Sequence, residues 1–141
     1  LTGRISESLV ASQKSVQLRP LDAEAHYNLG ITLTKLGRLN EAEVSFRQAI
    51  VLKPDLAEAH NNLGNALQQR GRLDEAEVSL RQAIVLKPDY AEAHNNLGNT
   101  LQQQGRLDEA EVSLRQAIAL KPDLAEAHNN LGNTLKIRQI K

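Results

Sequence analysis

The sequence has no cysteine, no methionine and no tryptophan, and two tyrosines and one phenylalanine are its only aromatic residues. Without cysteine there is no disulfide, no thiolate metal site and no cysteine nucleophile. The absence of methionine predicts that the sequence is a fragment of a longer protein. With so few rings, the core must be built from Leu, Ile, Val and Ala, whose compact side chains suit helices packed at close range.

Net charge and long apolar runs are also absent. Lys+Arg and Asp+Glu both number 17, so the basic excess or stripe of a nucleic-acid-binding protein is missing. There is no apolar run of the ~20 residues that cross a bilayer, and no signal peptide is visible. We therefore expect neither a nucleic-acid partner nor a membrane role. The compartment is left open, with the cytoplasm favoured.

Proline and histidine recur with one period. The prolines are Pro20, Pro54, Pro88 and Pro122, and the histidines are His26, His60, His94 and His128, each 34 residues apart. A period of about 20 to 50 residues indicates a repeat array. Units that begin three residues after each proline divide the chain 1–141 into a single array. Its parts are a half repeat at 1–22, full repeats at 23–56, 57–90 and 91–124, and a half repeat at 125–141.

Each full unit has the pattern of two helices. In the unit 57–90, Leu63 and Leu67 recur at helical spacing before Gly71 interrupts the run. A second apolar run follows, and Pro88 prevents it from continuing as a helix. Each unit therefore predicts a pair of helices joined by a tight turn.

Residue pairs of the kind Asp-x-x-Glu, or Asn-x-x-Glu in one case, occur at the start of both helices of a unit and predict capping boxes. They are Asp55/Glu58, Asp89/Glu92 and Asp123/Glu126 at first helices, and Asn40/Glu43, Asp74/Glu77 and Asp108/Glu111 at second helices. Ahead of the unit 23–56 the cap is shifted by one residue, to Asp22. Glu77 and Arg81 should also form an (i, i+4) ion pair on the helix surface.

The pattern resembles the tetratricopeptide repeat family. The matching residues in the unit 57–90 are Leu63, Gly64, Leu67, Gly71, Ala76, Leu80, Ala83 and Pro88. His60 and Leu67 stand where the family has bulky aromatics. The resemblance implies an all-α fold: a right-handed superhelical solenoid of antiparallel helix-turn-helix hairpins, with Gly64 and Ala76 where the two helices approach closely. The chain is most similar to the regular arrays in front of glycosyltransferases such as the O-linked N-acetylglucosamine transferase, and to similar bacterial arrays.

The four histidines do not predict a metal site. They occupy one helical position per unit, so neighbouring rings should be about 8–10 Å apart or more, whereas zinc needs its nitrogens at ~2 Å from one ion. We interpret each histidine as a replacement for the family's aromatic, packed between adjacent hairpins. No Ser-His-Asp order and no phosphate-binding glycine loop are present. We therefore predict no catalytic residue, no metal and no cofactor.

In the family, the first helices line a concave surface, which the resemblance assigns here to positions 2, 5, 6, 9, 12 and 13 of each unit. This surface is rich in carboxamides: Asn28, Asn61, Asn62, Asn65, Asn95, Asn96, Asn99, Asn129, Asn130 and Asn133. A carboxamide offers donors and an acceptor that match those of a peptide bond. The glycosyltransferase arrays that this chain resembles have a ladder of asparagines at the sixth position of each unit. Here that position is occupied by Asn28, Asn62, Asn96 and Asn130. The alternative interpretation is that these residues only solvate an unused face.

The unit 23–56 departs from the ladder. Tyr27, Ile31 and Lys35 are spaced i, i+4 and i+8 and so share one helix face. They predict an apolar anchor with a cation beside it, which would give local specificity. The alternative interpretation is that this unit has simply drifted in sequence or that it contacts another hairpin. The family's clamp for acidic chaperone tails needs Lys and Arg on the concave face. Because Glu58 and its equivalents occupy the second position, we predict no binding of such tails.

Two functions fit the array. The first is a protein-protein interaction scaffold that binds an extended peptide or partner segment in the concave Asn-rich groove. The second is a substrate-presenting module of a larger enzyme such as a glycosyltransferase.

Weak head-to-tail self-association is also expected, because the terminal helices, near 6–18 and 125–138, lack hairpin partners. The apolar residues expected to be exposed there are Ile5, Leu9, Val16 and Leu18 at the start, and Ala127, Leu131 and Leu135 at the end.

Overall fold

The computed structural model describes residues 2–140, so Leu1 and Lys141, the two ends of the predicted array, lie outside the described residues. Residues 2–140 form eight α-helices and no strand, which confirms the all-α prediction. The helices are α1 Thr2–Leu18, α2 Ala23–Lys35, α3 Leu39–Leu52, α4 Ala57–Gln69, α5 Leu73–Leu86, α6 Ala91–Gln103, α7 Leu107–Leu120 and α8 Ala125–Ile140. Helices α2 and α3, α4 and α5, and α6 and α7 pair as antiparallel hairpins.

A glycine closes each hairpin turn. Gly71 has a φ of +77°, and Gly37 and Gly105 have φ values of +75° and +79°. After this residue the chain reverses, and the N–H of Arg72 donates to the carbonyl oxygen of Leu67 at 3.0 Å. Glycine adopts this left-handed conformation without a Cβ clash. The predicted break at Gly71 is therefore confirmed.

A second glycine allows the two helices of a hairpin to touch. A Cβ on Gly64 would lie 2.5 Å from Cγ of Leu80 and 3.3 Å from the carbonyl oxygen of Ala76, which is fully buried. Gly98 has the same environment, and Gly30 fits against the ring of Phe46. The predicted close approach at Gly64 and Ala76 is confirmed. Without these glycines the hairpins would be overpacked.

The core is continuous from one hairpin to the next. One buried cluster joins Leu33 and Phe46 of the first hairpin to Leu63 and Leu67 of the second. A further cluster joins Leu80 of α5 to the third hairpin. Each hairpin thus buries its apolar stripe against its neighbours, as stacked repeats do.

The terminal helices are less exposed than the sequence indicates. Ala127 in α8 is fully buried, so the prediction that it is exposed was wrong. The reason is visible at the equivalent Ala59, which packs against Ala49 of the preceding hairpin. Leu131 and Leu135 are half-buried. In α1, Leu9 packs on the first core cluster, whereas Leu18 is 70% exposed.

The array is curved. The backbones of the first helices α2, α4, α6 and α8 approach one another closely along the stack. Among the described residues, those of the second helices α3, α5 and α7 stay farther apart, and long side chains such as Arg47 and Glu75 bridge the gap. A stack that is tight on one side and open on the other bends toward the tight side. We call the side formed by α2, α4, α6 and α8 the concave face, and the side formed by α3, α5 and α7 the convex face.

The predicted capping boxes were wrong for α3 to α7. Helices α4 and α6 have Leu56 and Tyr90 at the N-cap, and α3, α5 and α7 have arginines there, none with a side-chain cap hydrogen bond. Leu56 takes the N-cap position because its side chain is buried against the preceding hairpin. Only Asp22, among the caps described for α2 to α7, accepts a hydrogen bond in this way, from the N–H of Glu24 at 3.1 Å.

Candidate peptide-binding groove

A row of carboxamides runs along the concave face, and each member is bonded to the preceding repeat. Asn62 Nδ2 donates to Tyr27 Oη at 3.0 Å, and Asn96 Nδ2 donates to Asn61 Oδ1 at 2.9 Å. Asn130 Nδ2 donates to Oδ1 of the next equivalent asparagine, Asn95, at 3.0 Å. We call Asn62, Asn96 and Asn130 the carboxamide row. Each one uses a single N–H to connect consecutive first helices.

Two of the three fifth-position asparagines, Asn61 and Asn95, lie beneath this row. Asn61 is 5% exposed and Asn95 is 2% exposed. Asn61 Nδ2 donates to Tyr90 Oη at 3.3 Å, and Asn95 Nδ2 donates to a carboxylate oxygen of Glu126 at 3.4 Å. The structure therefore places these two predicted contact residues underneath the surface, where they orient the carboxamide row.

The remaining asparagines predicted for this face are half-buried or exposed. Asn28, Asn129 and Asn133 are exposed, and Asn65 and Asn99 are half-buried. Within residues 2–140, no side-chain hydrogen bond involves any of these five carboxamides. They flank the carboxamide row and extend the polar surface of the groove.

The first full repeat supplies an apolar end to the groove. The Tyr27 ring is half-buried, with its centroid 6.0 Å from that of Phe46, and it packs beside Leu56 of the next hairpin. Ile31 packs on the same core cluster, and Lys35 is exposed at the end of α2. The three residues share one face of α2, and Tyr27 is held between hairpins, where its Oη accepts a hydrogen bond from Asn62 Nδ2.

Tyr90 belongs to the same surface and was missed by the sequence reasoning. The signal was available, because Tyr90 occupies the position held by Leu56 and Leu124 in the neighbouring units. Burial, followed by the nearby Tyr27 and Glu58, raises the pKa of Tyr90 to about 12. Burial and then Glu58 also raise the pKa of Tyr27. Both phenols are therefore neutral at physiological pH and keep their hydroxyl hydrogens as donors.

The second-position glutamates make this face acidic in character. They are Glu24, Glu58, Glu92 and Glu126. Glu92 pairs with Lys121 Nζ at 3.3 Å, and both side chains are about half exposed. Lys87 Nζ lies 4.7 Å from the centroid of the Tyr90 ring, so this cation is engaged with an aromatic face. In the part of the chain that the structure describes, the concave face thus offers carboxamides, phenols and carboxylates, without a cluster of cations.

The histidines have a local role that the sequence reasoning did not predict. In every repeat Nε2 lies 2.8–2.9 Å from the carbonyl oxygen of the proline six residues earlier. Because a carbonyl only accepts, Nε2 carries the hydrogen. Each ring therefore fastens its helix to the preceding turn. The described residues contain no group of three or more potential metal ligands.

Comparisons with known proteins establish the family. A model described as "TPR repeat" matches residues 32–71, 64–105 and 99–136, and a second, described as "Tetratricopeptide repeat", matches residues 11–44. The chain belongs to the tetratricopeptide repeat (TPR) family. No curated protein matches the chain. In the part of the chain that the structure describes, no helix has the length and apolar character required to cross a membrane.

Solved TPR structures share the fold. The structure of MamA is 28% identical, with a TM-score of 0.87, covering 98% of this chain and 81% of that one. MamA residues 41 to the end from Desulfovibrio magneticus RS-1 are 24% identical, with a TM-score of 0.86 and coverages of 98% and 77%. The first TPR domain of Spaghetti (RPAP3), bound to the HSP90 peptide SRMEEVD, is 21% identical, with a TM-score of 0.81 and coverages of 84% and 94%.

Proposed function

We propose that this TPR array is a protein-interaction scaffold that holds an extended segment of a partner protein against the carboxamide row. The supporting observation is the hydrogen bond that each member donates to the preceding repeat. This bond fixes the orientation of the carboxamide and leaves its second N–H and its Oδ1 for a ligand. Side chains ordered in advance lose less conformational entropy on binding.

The spacing of the row suits an extended chain. Neighbouring packed helices are separated by roughly 8–10 Å, and an extended peptide advances about 3.3 Å per residue. One carboxamide should therefore meet the peptide backbone about every third residue. Since only N–H and C=O groups are read, side chains of the partner have little influence along the row, and Tyr27, Ile31 and Lys35 at one end add a local preference.

Peptide binding in the RPAP3 domain supports this use of the fold, although the likeness is one of fold alone. Three of the last four residues of that peptide are acidic. The groove described above carries Glu24, Glu58, Glu92 and Glu126, which disfavour an acidic ligand. The partner of this chain is therefore expected to be neutral or basic.

The test uses a neutral, unstructured peptide selected for binding from a library and measured by calorimetry. The triple variant N62A/N96A/N130A should bind it roughly a hundredfold more weakly, because about three hydrogen bonds of ~1 kcal/mol are lost. The matched control is Q48A/Q82A/Q116A, which removes three exposed carboxamides from the convex face and should bind unchanged.

A second arm tests backbone recognition directly. The same peptide with N-methylated amides keeps its side chains but loses its N–H donors, so its affinity should fall to a similar extent. Unchanged affinity in the folded triple variant, with helicity verified by circular dichroism, would contradict the proposal.

A further inference from the structure

Glu58 differs from the other glutamates at the second position of the repeats. It is half-buried, whereas Glu24, Glu92 and Glu126 are exposed. Its counterpart in the next repeat, Glu92, forms an ion pair with Lys121 at 3.3 Å. Within residues 2–140, Glu58 takes part in no ion pair and in no side-chain hydrogen bond. A carboxylate that has lost part of its water without gaining a cation is suited to receive one from a partner.

The only two tyrosines of the sequence flank this carboxylate. Asn61 and Asn62 follow Glu58 at i+3 and i+4, so the three residues share one face of α4. From the preceding hairpin, Tyr27 Oη accepts a hydrogen bond from Asn62 Nδ2 at 3.0 Å. From the turn ahead of α6, Tyr90 Oη accepts one from Asn61 Nδ2 at 3.3 Å. The two phenols therefore reach α4 from both neighbouring repeats, about one helical turn beyond Glu58.

The three groups are close enough to influence one another. After burial, the Glu58 charge is the next cause that raises the pKa of Tyr27, and Tyr27 and Glu58 follow burial for the pKa of Tyr90. Each neutral phenol oxygen accepts one N–H and keeps a further lone pair. Lys87 Nζ lies 4.7 Å from the centroid of the Tyr90 ring, so this ring already contacts a cation. We call Tyr27, Glu58 and Tyr90 the phenol–carboxylate cluster.

An arginine side chain matches this cluster. Its planar guanidinium pairs with carboxylates, donates several N–H groups in a fixed fork and stacks on aromatic rings. A lysine ammonium is more strongly hydrated and cannot stack in this way. An aspartate or glutamate would meet Glu58 as a like charge. Lys87 is exposed on a flexible stem, so it can swing away from the ring when a partner cation arrives.

We propose that the phenol–carboxylate cluster is a subsite for the guanidinium of one arginine in the bound segment. This inference rests on the proposed function, because a segment lying on the carboxamide row would deliver the arginine. Asn62 belongs to that row and also bonds Tyr27, so the two sites are continuous. Since both tyrosines of the sequence are used here, the arginine is recognised at one place only. The row holds the backbone of the partner, and this subsite fixes its register.

The test is an arginine scan of the neutral peptide from the calorimetry described above. Arginine replaces one residue at a time, and the gain is the Kd of the parent peptide divided by that of the arginine peptide. One position should give a gain of about tenfold, the effect of a charge-assisted hydrogen bond. Citrulline, which has nearly the same shape without the charge, should give no gain there.

Variants of the protein locate the gain. Glu58→Gln should reduce it to less than about twofold, as expected when the carboxylate supplies most of it. The matched control is Glu92→Gln, which changes the equivalent glutamate that is already paired with Lys121 and should retain the gain. Tyr90→Leu introduces the residue of the neighbouring units, so the fold should tolerate it, and it should also reduce the gain.

The outcomes separate this inference from the proposed function. A scan without a gain at any position, an equal gain from citrulline, or a gain that survives Glu58→Gln overturns the arginine subsite. The proposed function fails by a different result, namely unchanged affinity of the parent peptide for N62A/N96A/N130A. The two proposals can therefore fail separately.

A second probe tests the subsite without any peptide. N-acetylarginine methylamide is titrated into the chain, and the ring signals of the two tyrosines are followed by NMR. Both signals should shift and saturate at roughly tens of millimolar, the weak affinity of so small a ligand. The citrulline analogue should cause no such shift, and Glu58→Gln should abolish the response to the arginine compound. Tyrosine signals that stay unmoved, or that move equally with citrulline, overturn the proposal.

Discussion

Glu77 joins two hairpins: its Oε1 accepts a hydrogen bond from Arg106 Nη1 at 2.6 Å, in the turn ahead of α7. Its Oε2 accepts from Arg81 Nε at 2.9 Å within the same helix, as the sequence predicted. Glu43 and Arg72 repeat the contact between hairpins at 2.7 Å. A carboxylate that was assigned to a capping box therefore fixes the spacing of neighbouring repeats.

We predict that Glu77→Gln lowers the free energy of unfolding by about 1 kcal/mol, because charge-assisted hydrogen bonds to two arginines are weakened. Urea denaturation measures the change. The control is Glu109→Gln, whose side chain is 53% exposed and binds the same Arg106 from the outside. Glu109→Gln should change stability less than Glu77→Gln, and an equal loss in both would show that the contact between hairpins has no special weight.

The stability of the array should fall in acid. Burial opposes ionisation of Glu77, but hydrogen bonds from Arg106 and Arg81 outweigh it and hold its pKa below the ordinary 4.5. Because the folded pKa is below the unfolded one, the stabilisation is complete above about pH 4.5 and is lost as pH falls through the folded pKa. The urea midpoint should decline below pH 4.5, and less steeply in Glu77→Gln. Parallel pH profiles would contradict this assignment.

Gly64 and Gly132 occupy equivalent repeat positions with opposite surroundings. Gly64→Ala should destabilise the array by about 1–3 kcal/mol, since the new Cβ would lie 2.5 Å from Leu80. Gly132→Ala should be neutral or stabilising by up to about 1 kcal/mol, because nothing lies within 4 Å and alanine is the better helix former. Thermal unfolding of the two variants compares them, and a loss of stability in Gly132→Ala would show that α8 packs more tightly than described.

The peptide SRMEEVD should not bind the concave face. Glu58 and its equivalents repel its acidic residues, and the groove has no cation cluster to receive a terminal carboxylate. Calorimetry should show no heat of binding beyond dilution. Micromolar binding that is abolished by amidation of the C-terminus would show that the groove recognises carboxylates after all.

The isolated 141-residue polypeptide should also associate weakly end to end. Leu80 covers Gly64, but no described residue covers the equivalent Gly132. The space beside Gly132 could therefore receive the α1 helix of another copy. The contact should be weak, because Ser12 stands in α1 at the position of Leu80. Sedimentation of this polypeptide near millimolar concentration should show growth that does not stop at two copies. A polar helix appended after Lys141 should abolish that growth. If the polypeptide without the added helix is strictly monomeric, the end-to-end contact is ruled out.

Much of the fold could be predicted from residues that act on the chain locally. The recurrence of Pro54 and Pro88 and the positive φ required at Gly71 determine where helices stop, since both act within a few residues of themselves. Gly64 likewise indicates the close helix contact, because glycine inside a helix costs about 1 kcal/mol relative to alanine and is favoured where a Cβ has no room. Helix number, hairpin pairing and this contact could therefore be predicted from the sequence.

The partners and the burial of the polar side chains depend on the tertiary structure and could not be predicted from the sequence. Asn61 and Asn62 are adjacent in sequence, yet one is buried under the groove and the other lies on it, because successive helix positions point about 100° apart and the neighbouring repeat covers one of them. Glu77 does not form its predicted capping hydrogen bond for the same reason. Stacking of the hairpins brings Arg106 Nη1, 29 residues away in sequence, to 2.6 Å from Glu77 Oε1. Spacing along a helix determines which side a residue faces, but its partners there come from the packing of the next hairpin.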